Sequence, residues 1–191
     1  MQTIATLLVI LCWLIYLPMF IGKSGPGSAR ARQDSRSRIG ILLQFAAVGI
    51  MWVWRRPLFS PLPSLGFPIT VVAPIMAVLL AAGAVWFSWI ALKTLGKQWS
   101  FVAGVTAQHR LIQDGPYAIV RHPLYVCFFG LTLATGMVWT EPTAIAISVV
   151  LFWIGVWIRV CTEERLLREA FGAEFERYVQ RVPAFFPRSS S

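Results

Sequence analysis

The sequence predicts an all-α protein built as a polytopic bundle of membrane-spanning helices. Hydrophobic residues make up 57% of the 191 residues, and nine Trp and thirteen Phe are among them. A soluble globule needs more polar surface than this composition supplies, which indicates the bilayer as the solvent. Long apolar runs recur along the chain, each near the roughly 20 residues that a helix needs to cross the hydrocarbon core. We therefore expect a single membrane domain of about five transmembrane helices.

Five segments meet or approach that length. The first is interpreted as a permanent helix rather than a cleaved signal peptide, because it lacks a basic n-region and its apolar run is long. The second and fourth are short, which predicts local bilayer thinning or flanking Trp and Arg side chains that reach the interface. The predicted spans are Thr3–Ile21, Ile39–Trp54, Pro68–Leu92, Leu124–Trp139 and Thr143–Val160.

The charges predict the orientation of these spans. All Lys and Arg residues except Arg55 and Arg56 fall on the side of the linker after the first span, the loop after the third and the C-terminal tail. The positive-inside rule then predicts an outer N-terminus and a cytoplasmic C-terminus, as in a bacterial or archaeal-type plasma membrane. This orientation accounts for the net charge of +9. We expect no nucleic-acid partner, although the basic face would attract anionic lipids.

Two other features are interpreted as packing. The three cysteines, Cys12, Cys127 and Cys161, show no CxxC or Cys/His spacing, so we predict small apolar fillers and no metal site. Residues 81–84 in the third span are Ala, Ala, Gly and Ala. Such a patch, with Gly83 at its centre, lets helices approach closely, and we expect it to serve packing within the bundle.

Polar chemistry is concentrated in two stretches, of which the first runs from His109 to Tyr125. Its pattern is H-x5-GPY-x3-RHP-x-Y. Asp114, Gly115 and Pro116 predict a tight turn, and Pro123 suits the first turn of the fourth span. Arg121 and His122 would then lie at a helix N-terminus, a favourable place for a carboxylate or another anion. For an isolated Arg-His-Pro, a simple membrane anchor and helix cap would explain these residues equally well.

The second stretch runs from Arg159 to Pro187. Arg159 and Glu163 are four residues apart and share a helix face. An Arg at a membrane boundary usually faces a cavity or a charged partner, so a structural ion pair is the alternative to a functional role. After them, apolar residues from Leu166 to Val182 recur at helical spacing and predict an amphipathic interfacial helix.

Together these stretches resemble the isoprenylcysteine carboxyl methyltransferase family of integral membrane enzymes. The second one is similar to the family in its Arg-x3-Glu-Glu and in the residues Leu166, Phe171, Gly172, Phe175 and Tyr178. The resemblance implies a methyltransferase with S-adenosylmethionine as cofactor and a C-terminal segment that covers it. It implies Arg159 and Glu163 as catalytic residues. The residues that it implies for cofactor binding are His109, Tyr117, Arg121, His122, Tyr125 and Glu164.

The resemblance also divides the single membrane domain. Residues 1–95 would form the first three helices, 96–122 a cytoplasmic cofactor-binding loop, 123–160 the last two spans, and 161–191 the amphipathic helix and tail. The acceptor would be a lipophilic molecule from the bilayer. We expect the carboxylate of a small isoprenoid or lipid-like compound, because the few spans leave little room for a large protein substrate.

Three alternatives stay open at this point. Within the same broad group, the acceptor is a phospholipid or a thiol. In a different class, the chain is a membrane NADPH-dependent reductase of the sterol-reductase type, which needs no G-x-G-x-x-G motif. In a third class, it is a scaffold without catalytic activity.

Overall fold

The computed structural model of the protein describes residues 1–21, 32–33, 36–57, 66–96, 104–105 and 110–186, with the backbone alone at 32–33, 66–70 and 104–105. The α-helices in these ranges are α1 Gln2–Tyr16, α2 Arg36–Val53, α3 Gly66–Leu95, α4 Pro116–Ile119, α5 Pro123–Trp139, α6 Pro142–Phe171 and α7 Ala173–Arg181. A 3₁₀ turn, Leu17–Phe20, extends α1. Two short strands, β1 Arg32–Gln33 and β2 Gly104–Val105, pair antiparallel.

The described helices have the lengths and composition of membrane spans. Four stretches are long and apolar enough to cross a membrane, namely Gln2–Phe20, Arg36–Val53, Val71–Leu95 and Pro142–Phe171. A fifth helix, α5, is apolar but has 17 residues, or about 25 Å of helix against a core of about 30 Å. The prediction of an all-α polytopic bundle is confirmed, and the shorter apolar helix α5 occupies the position of the predicted fourth span.

The first group of helices consists of α1, α3 and α5, which pack on one another. Trp13 of α1 donates its indole N–H to the hydroxyl of Thr135 on α5 at 2.8 Å. Ala77 and Ala81 of α3 are fully buried in the same cluster. Small side chains on α3 therefore make room for the large aromatic side chains of α1.

The small-residue patch on α3 behaves differently at its individual positions. Ala81 and Ala84 are buried, whereas a Cβ built on Gly83 would meet no described atom within 4 Å. The expectation of close packing is therefore wrong for Gly83. On a helix of 3.6 residues per turn, Gly83 lies on a different face from the two buried alanines.

The second group is the antiparallel pair of α2 and α6, and it contains a much closer approach. A Cβ built on Gly40 would lie 2.6 Å from the carbonyl oxygen of Gly155 and 2.5 Å from Cγ of Arg159. Only glycine leaves space for the two backbones at this distance. The glycines at positions 40 and 155 thus determine the distance between α2 and α6 beside Arg159.

One end of the bundle is closed by backbone contacts between the two groups. The N–H of Arg56 donates to the carbonyl of Trp139 at 3.0 Å, and the N–H of Glu141 donates to the carbonyl of Trp54 at 3.2 Å. Gln2 reaches the same end, where its amide donates to the carbonyl of Val138. The N-terminus therefore shares an end with Arg56 and Glu141, which is the arrangement that the predicted topology requires.

The C-terminal part differs from the prediction in where its helices end. The fifth span was expected to stop at Val160, followed by a separate amphipathic helix, but α6 continues unbroken to Phe171. Residues 161–171 contain no Gly or Pro and several strong helix formers, so nothing interrupts the helix. The break comes at Gly172, whose φ is +49°. The short α7 that follows buries Phe175 and Tyr178 against the bundle.

Candidate functional site

Three polar side chains meet between α5 and α6. The phenol of Tyr125 accepts a hydrogen bond from Nε of Arg159 at 2.7 Å and donates a short one to Oε1 of Glu163. The guanidinium of Arg159 is also 3.6 Å from that carboxylate. The side chain of Arg159 is only 10% exposed and that of Glu163 is 25% exposed. A largely buried cation and a partly buried anion are stabilised here by each other and by the phenol that bonds to both.

A second cluster connects the start of α5 to α6 and to the C-terminal segment, which consists of α7 and residues 182–186. Arg121 donates from Nε and Nη2 to Oε1 of Glu164, at 3.0 and 2.7 Å. Its Nη1 donates to the carbonyls of Val182 and, at 3.5 Å, Val179, at the C-terminal end of α7. One guanidinium thus joins a carboxylate of α6 to the last carbonyls of α7, where a positive charge is favourable.

Backbone bonds strengthen the same junction. The N–H of Arg121 donates to the carbonyl of Pro183 at 2.9 Å, and the N–H of His122 donates to that of Ala184 at 3.1 Å. These two amides, which the sequence suggested as anion donors, are therefore bonded to residues that follow α7. The C-terminal segment is held against the start of α5 by both side chains and backbone.

His122 lies between the two carboxylates. Its Nε2 is 3.1 Å from Oε1 of Glu164, and its Nδ1 is 3.6 Å from Oε2 of Glu163. The ring is buried and rests beside Phe185 at 5.9 Å between ring centroids. His122 therefore connects the cluster around Arg121 with the one around Arg159.

Tyr117 and Tyr178 close the side of the site formed by α4 and α7. The hydroxyl of Tyr178 donates to the backbone carbonyl of Tyr117 at 2.6 Å. The hydroxyl of Tyr117 is buried and has no hydrogen-bond partner among the described residues. Burial, and then the negative charge of Glu163, raise the pKa of the Tyr117 phenol. This phenol stays protonated and is a donor available to a ligand.

The local sequence explains why these side chains meet. Gly115 adopts a φ of +57°, and the N–H of Tyr117 bonds back to the carbonyl of Asp114, so the predicted turn is confirmed. Pro123 occupies the first turn of α5 with His122 as the N-cap, again as predicted. The turn at Gly115 and the start of α5 together place the Gly-Pro-Tyr and Arg-His-Pro sequences beside α6.

Of the predicted site residues, seven fall within the described part of the chain. Bonds or close contacts connect Tyr125, Arg159 and Glu163 in one cluster and Arg121, His122 and Glu164 in the other, while Tyr117 borders them through Tyr178. His109 lies outside the described residues. The backbone carbonyls of α7 and the close approach of Gly40 to Arg159 were not anticipated. Gly40 and Gly155 are a signal of close helix approach that was present in the sequence.

Within the described ranges, the chain has no group of three or more His, Cys, Asp or Glu side chains placed to hold a metal ion.

The fold and the site define the class of protein: a polytopic helical membrane protein with a polar, ionisable site where the start of α5 meets α6. The family model described as the isoprenylcysteine carboxyl methyltransferase (ICMT) family matches residues 75–169. This segment, about half of the chain, belongs to that family, and the resemblance predicted from the two polar stretches is confirmed.

Similar proteins with assigned names fall into two groups. The chain is 34% identical over 123 residues to the cobalt-zinc-cadmium resistance protein CzcN of Cupriavidus metallidurans, which covers 63% of this chain and 53% of that protein. It is 38% identical over 79 residues to the protein-S-isoprenylcysteine O-methyltransferase of Schizosaccharomyces pombe, covering 41% and 34%. A similar enzyme named B, from Arabidopsis thaliana, is 33% identical over 100 residues, covering 51% and 50%. The chain spans about half the length of the first relatives that it matches.

Proposed function

We propose that this protein is an integral membrane methyltransferase that uses S-adenosylmethionine to methylate a lipophilic acceptor. The acceptor that we propose is the carboxylate of an isoprenoid or lipid-like small molecule. The observation that carries the proposal is the contact of Tyr125 with both Arg159 and Glu163, since it unites the two family-like stretches in one site. The family match over residues 75–169 supports the reaction class.

The residues at the site fit this cofactor. When bound, S-adenosylmethionine supplies an electrophilic methyl group on a sulfonium cation. The site offers the carboxylate of Glu163, which is partly exposed, and the phenol of Tyr117, which no other described residue engages. We assign Glu163 and Glu164 to amino or ribose groups and the faces of Tyr117 and Tyr125 to the surroundings of the cation. His109 and His122 complete the proposed binding set.

Arg121 contributes to cofactor binding by closing the site. Its guanidinium is bonded to Glu164 and to the carbonyl of Val182, so it holds the segment after α7 over the polar cluster. A closed segment excludes water, which strengthens the electrostatic interactions beneath it. We propose that this closing role accompanies any direct contact of Arg121 with the cofactor carboxylate.

The chemistry required of the protein is alignment more than proton transfer. A carboxylate acceptor is already ionised at neutral pH, so no general base is needed. Arg159 would orient the carboxylate, while Tyr125 and Glu163 fix the direction of the guanidinium. For an acceptor thiol or amine, Glu163 is the nearest group able to take the proton.

The predicted topology supports a site that is accessible both from the bilayer and from the cytoplasm. We propose that the N-terminus is outside and the C-terminus cytoplasmic, in a bacterial or archaeal-type plasma membrane. The lipophilic acceptor would enter from the bilayer and the water-soluble cofactor from the cytoplasm. The site would then lie at the inner membrane boundary.

The proposal is tested by following methyl transfer in a reconstituted system. Purified protein in lipid is incubated with a methyl-labelled donor and a lipid extract of the host, and mass spectrometry identifies the product that gains a methyl group. We expect label in a lipophilic ester. Stabilisation by NADPH and not by S-adenosylhomocysteine in a thermal-shift comparison would reject the methyltransferase in favour of a reductase.

Two variants address the catalytic roles. We expect Arg159→Ala and Glu163→Ala to abolish the transfer while the far-UV helical signal is retained. Glu174→Ala is the matched control, because Glu174 lies in α7 with an exposed contact to Gln113 at 3.4 Å and, within the described ranges, makes no bond to the triad of Tyr125, Arg159 and Glu163. Turnover at the wild-type rate in the Arg159→Ala protein would remove that residue from the mechanism.

A further inference from the structure

Gln44 is a buried amide in the apolar helix α2, and its side-chain nitrogen has no hydrogen-bond partner among the described residues. Only 2% of the residue is exposed, and its Nε2 has no acceptor among the described residues. A donor left unpaired within a membrane helix is costly, because neither water nor lipid tails can accept its hydrogen. This cost is offset if a bound ligand supplies the acceptor.

The position of Gln44 relates it directly to the catalytic arginine. Its Cγ would lie 3.0 Å from a Cβ built on Gly155, and Arg159 follows one helical turn later on the same face of α6. On α2, Gly40 is one turn before Gln44, and a Cβ built on Gly40 would lie 2.5 Å from Cγ of Arg159. The two helices are antiparallel, and side chains lean towards the N-terminus of their own helix. Gln44 and Arg159 therefore lean towards each other across the two glycines.

Positions near Gln44 on α2 and near Gly155 on α6 carry apolar side chains. Ala47, Phe152 and Val156 form a buried cluster between α2 and α6, and Tyr125 packs against it. The phenol of Tyr125 is already engaged with Arg159 and Glu163. Gln44 thus lies opposite Gly155, which is next to Val156 of the apolar cluster and one helical turn before Arg159 of the polar site. The end of a lipophilic molecule with an oxygen-bearing head would meet both environments there.

We propose that Gln44 is a specificity-determining residue, whose side-chain amide donates a hydrogen bond to an oxygen of the lipophilic acceptor beside Arg159. This inference rests on the proposed function and extends it to α2, which precedes the family segment at residues 75–169. A site that donates to the oxygens of a carboxylate rejects an analogue without them, because its buried donors are then left unpaired.

Ser148 provides an internal comparison. Its hydroxyl is also buried and has no partner in the described part of the chain, and it lies on α6, the helix that packs against α2. However, it is eleven residues, or about three helical turns, before Arg159. A ligand oxygen held by Arg159 would be out of its reach, so Ser148→Ala is the matched control for loss of a buried, unpaired hydroxyl.

The test uses farnesoic acid, an isoprenoid carboxylate, with farnesol as the probe that lacks the carboxylate. The full-length protein in detergent is unfolded thermally with and without each probe. For the wild type we expect a larger rise in Tm with the acid than with the alcohol. Gln44→Met, of similar length and shape, should keep or raise the Tm of the unliganded protein, because a buried unpaired donor is removed. It should also weaken farnesoic acid binding about tenfold or more, as expected for loss of a hydrogen bond to a charged group.

The controls separate a structural role from a recognition role. Ser148→Ala should retain the wild-type response to the acid, and Gln44→Glu, which places a carboxylate against the carboxylate of the probe, should lose it. A lower unliganded Tm of Gln44→Met with an unchanged response to farnesoic acid would overturn the proposal. Equal stabilisation of the wild type by acid and alcohol, or by neither, would overturn it as well.

Failure of the proposed function is detected separately. If farnesoic acid binds through Gln44 but no methyl is transferred to it or to any lipid of the host extract, the binding site stands and the methyltransferase is rejected. If methyl transfer occurs and its KM is unchanged in Gln44→Met, the function stands and the role of Gln44 is rejected.

Discussion

Replacing Arg121 by lysine should release the C-terminal segment without removing any charge. In the structure this guanidinium makes two hydrogen bonds to Oε1 of Glu164 and one to the carbonyl of Val182, with a weaker contact to Val179. A lysine ammonium is a point charge and cannot reproduce this planar fork. We expect it to keep one bond to Glu164 and to lose the other two.

The free-energy cost of the Arg121→Lys replacement follows from these contacts. Hydrogen bonds to charged groups contribute about 1.5 to 3 kcal/mol each. The side chains of Arg121 and Glu164 are both only 10% exposed, so screening by water is limited. Partial rehydration of the ammonium recovers some of the loss, which leaves about 3 kcal/mol. This corresponds to on the order of a hundredfold more frequent opening of the segment.

Hydrogen exchange measured by mass spectrometry reports that opening. Amides of α7 should exchange on the order of a hundredfold faster in Arg121→Lys, while those of α3 stay protected as in the wild type. The matched control is Arg168→Lys, since Arg168 pairs with Glu164 and Glu176 but is 45% exposed. Exposed pairs contribute up to about 1 kcal/mol, so the control should change exchange little. Equal protection of α7 in both variants would show that Arg121 does not hold the segment.

Two further perturbations test the interior of the site. His122→Ala removes the ring between two carboxylates, so we expect mainly weaker cofactor binding, by about tenfold in calorimetric titration; an unchanged Kd would contradict the role. Gly40→Ala places a Cβ 2.5 Å from Arg159 and 2.6 Å from Gly155 and should destabilise the protein by about 1 to 3 kcal/mol. Gly83→Ala, with open space around it, should instead be neutral or stabilising by about 0.5 to 1 kcal/mol; similar Tm changes in both would refute the packing argument.

The sequence predicted the helical fold because apolar runs of spanning length have few alternatives in a membrane. It also predicted that Tyr125 and Glu163 share a site, which the bond between them confirms. Both results depend on local patterns, namely hydropathy and motif spacing. The position of Pro123 in the first turn of α5 followed in the same way from its fixed φ.

Partners that are distant along the chain could not be predicted in this way. Arg121 and Glu164 are separated by 43 residues, and nothing in the local sequence of either specifies the other. The end of α6 was missed for a different reason. A change from apolar to charged residues after Val160 suggested a helix boundary, but charge alone does not end a helix whose residues have high helix propensity. The boundary came at Gly172.

The catalytic proposal also depends on α2, which precedes the family segment at residues 75–169. Gly40 allows α2 to approach Arg159, and Gln44, one turn later on α2, is buried against Gly155. A side chain at position 40 would displace both the aliphatic part of Arg159 and the backbone at Gly155 against which Gln44 packs. The family segment therefore supplies the triad of Tyr125, Arg159 and Glu163, while α2 supplies the side chain that we propose for binding the acceptor. Differences in acceptor between this protein and its relatives are then expected to originate in α2, where a change of one side chain alters hydrogen bonding without disturbing the triad.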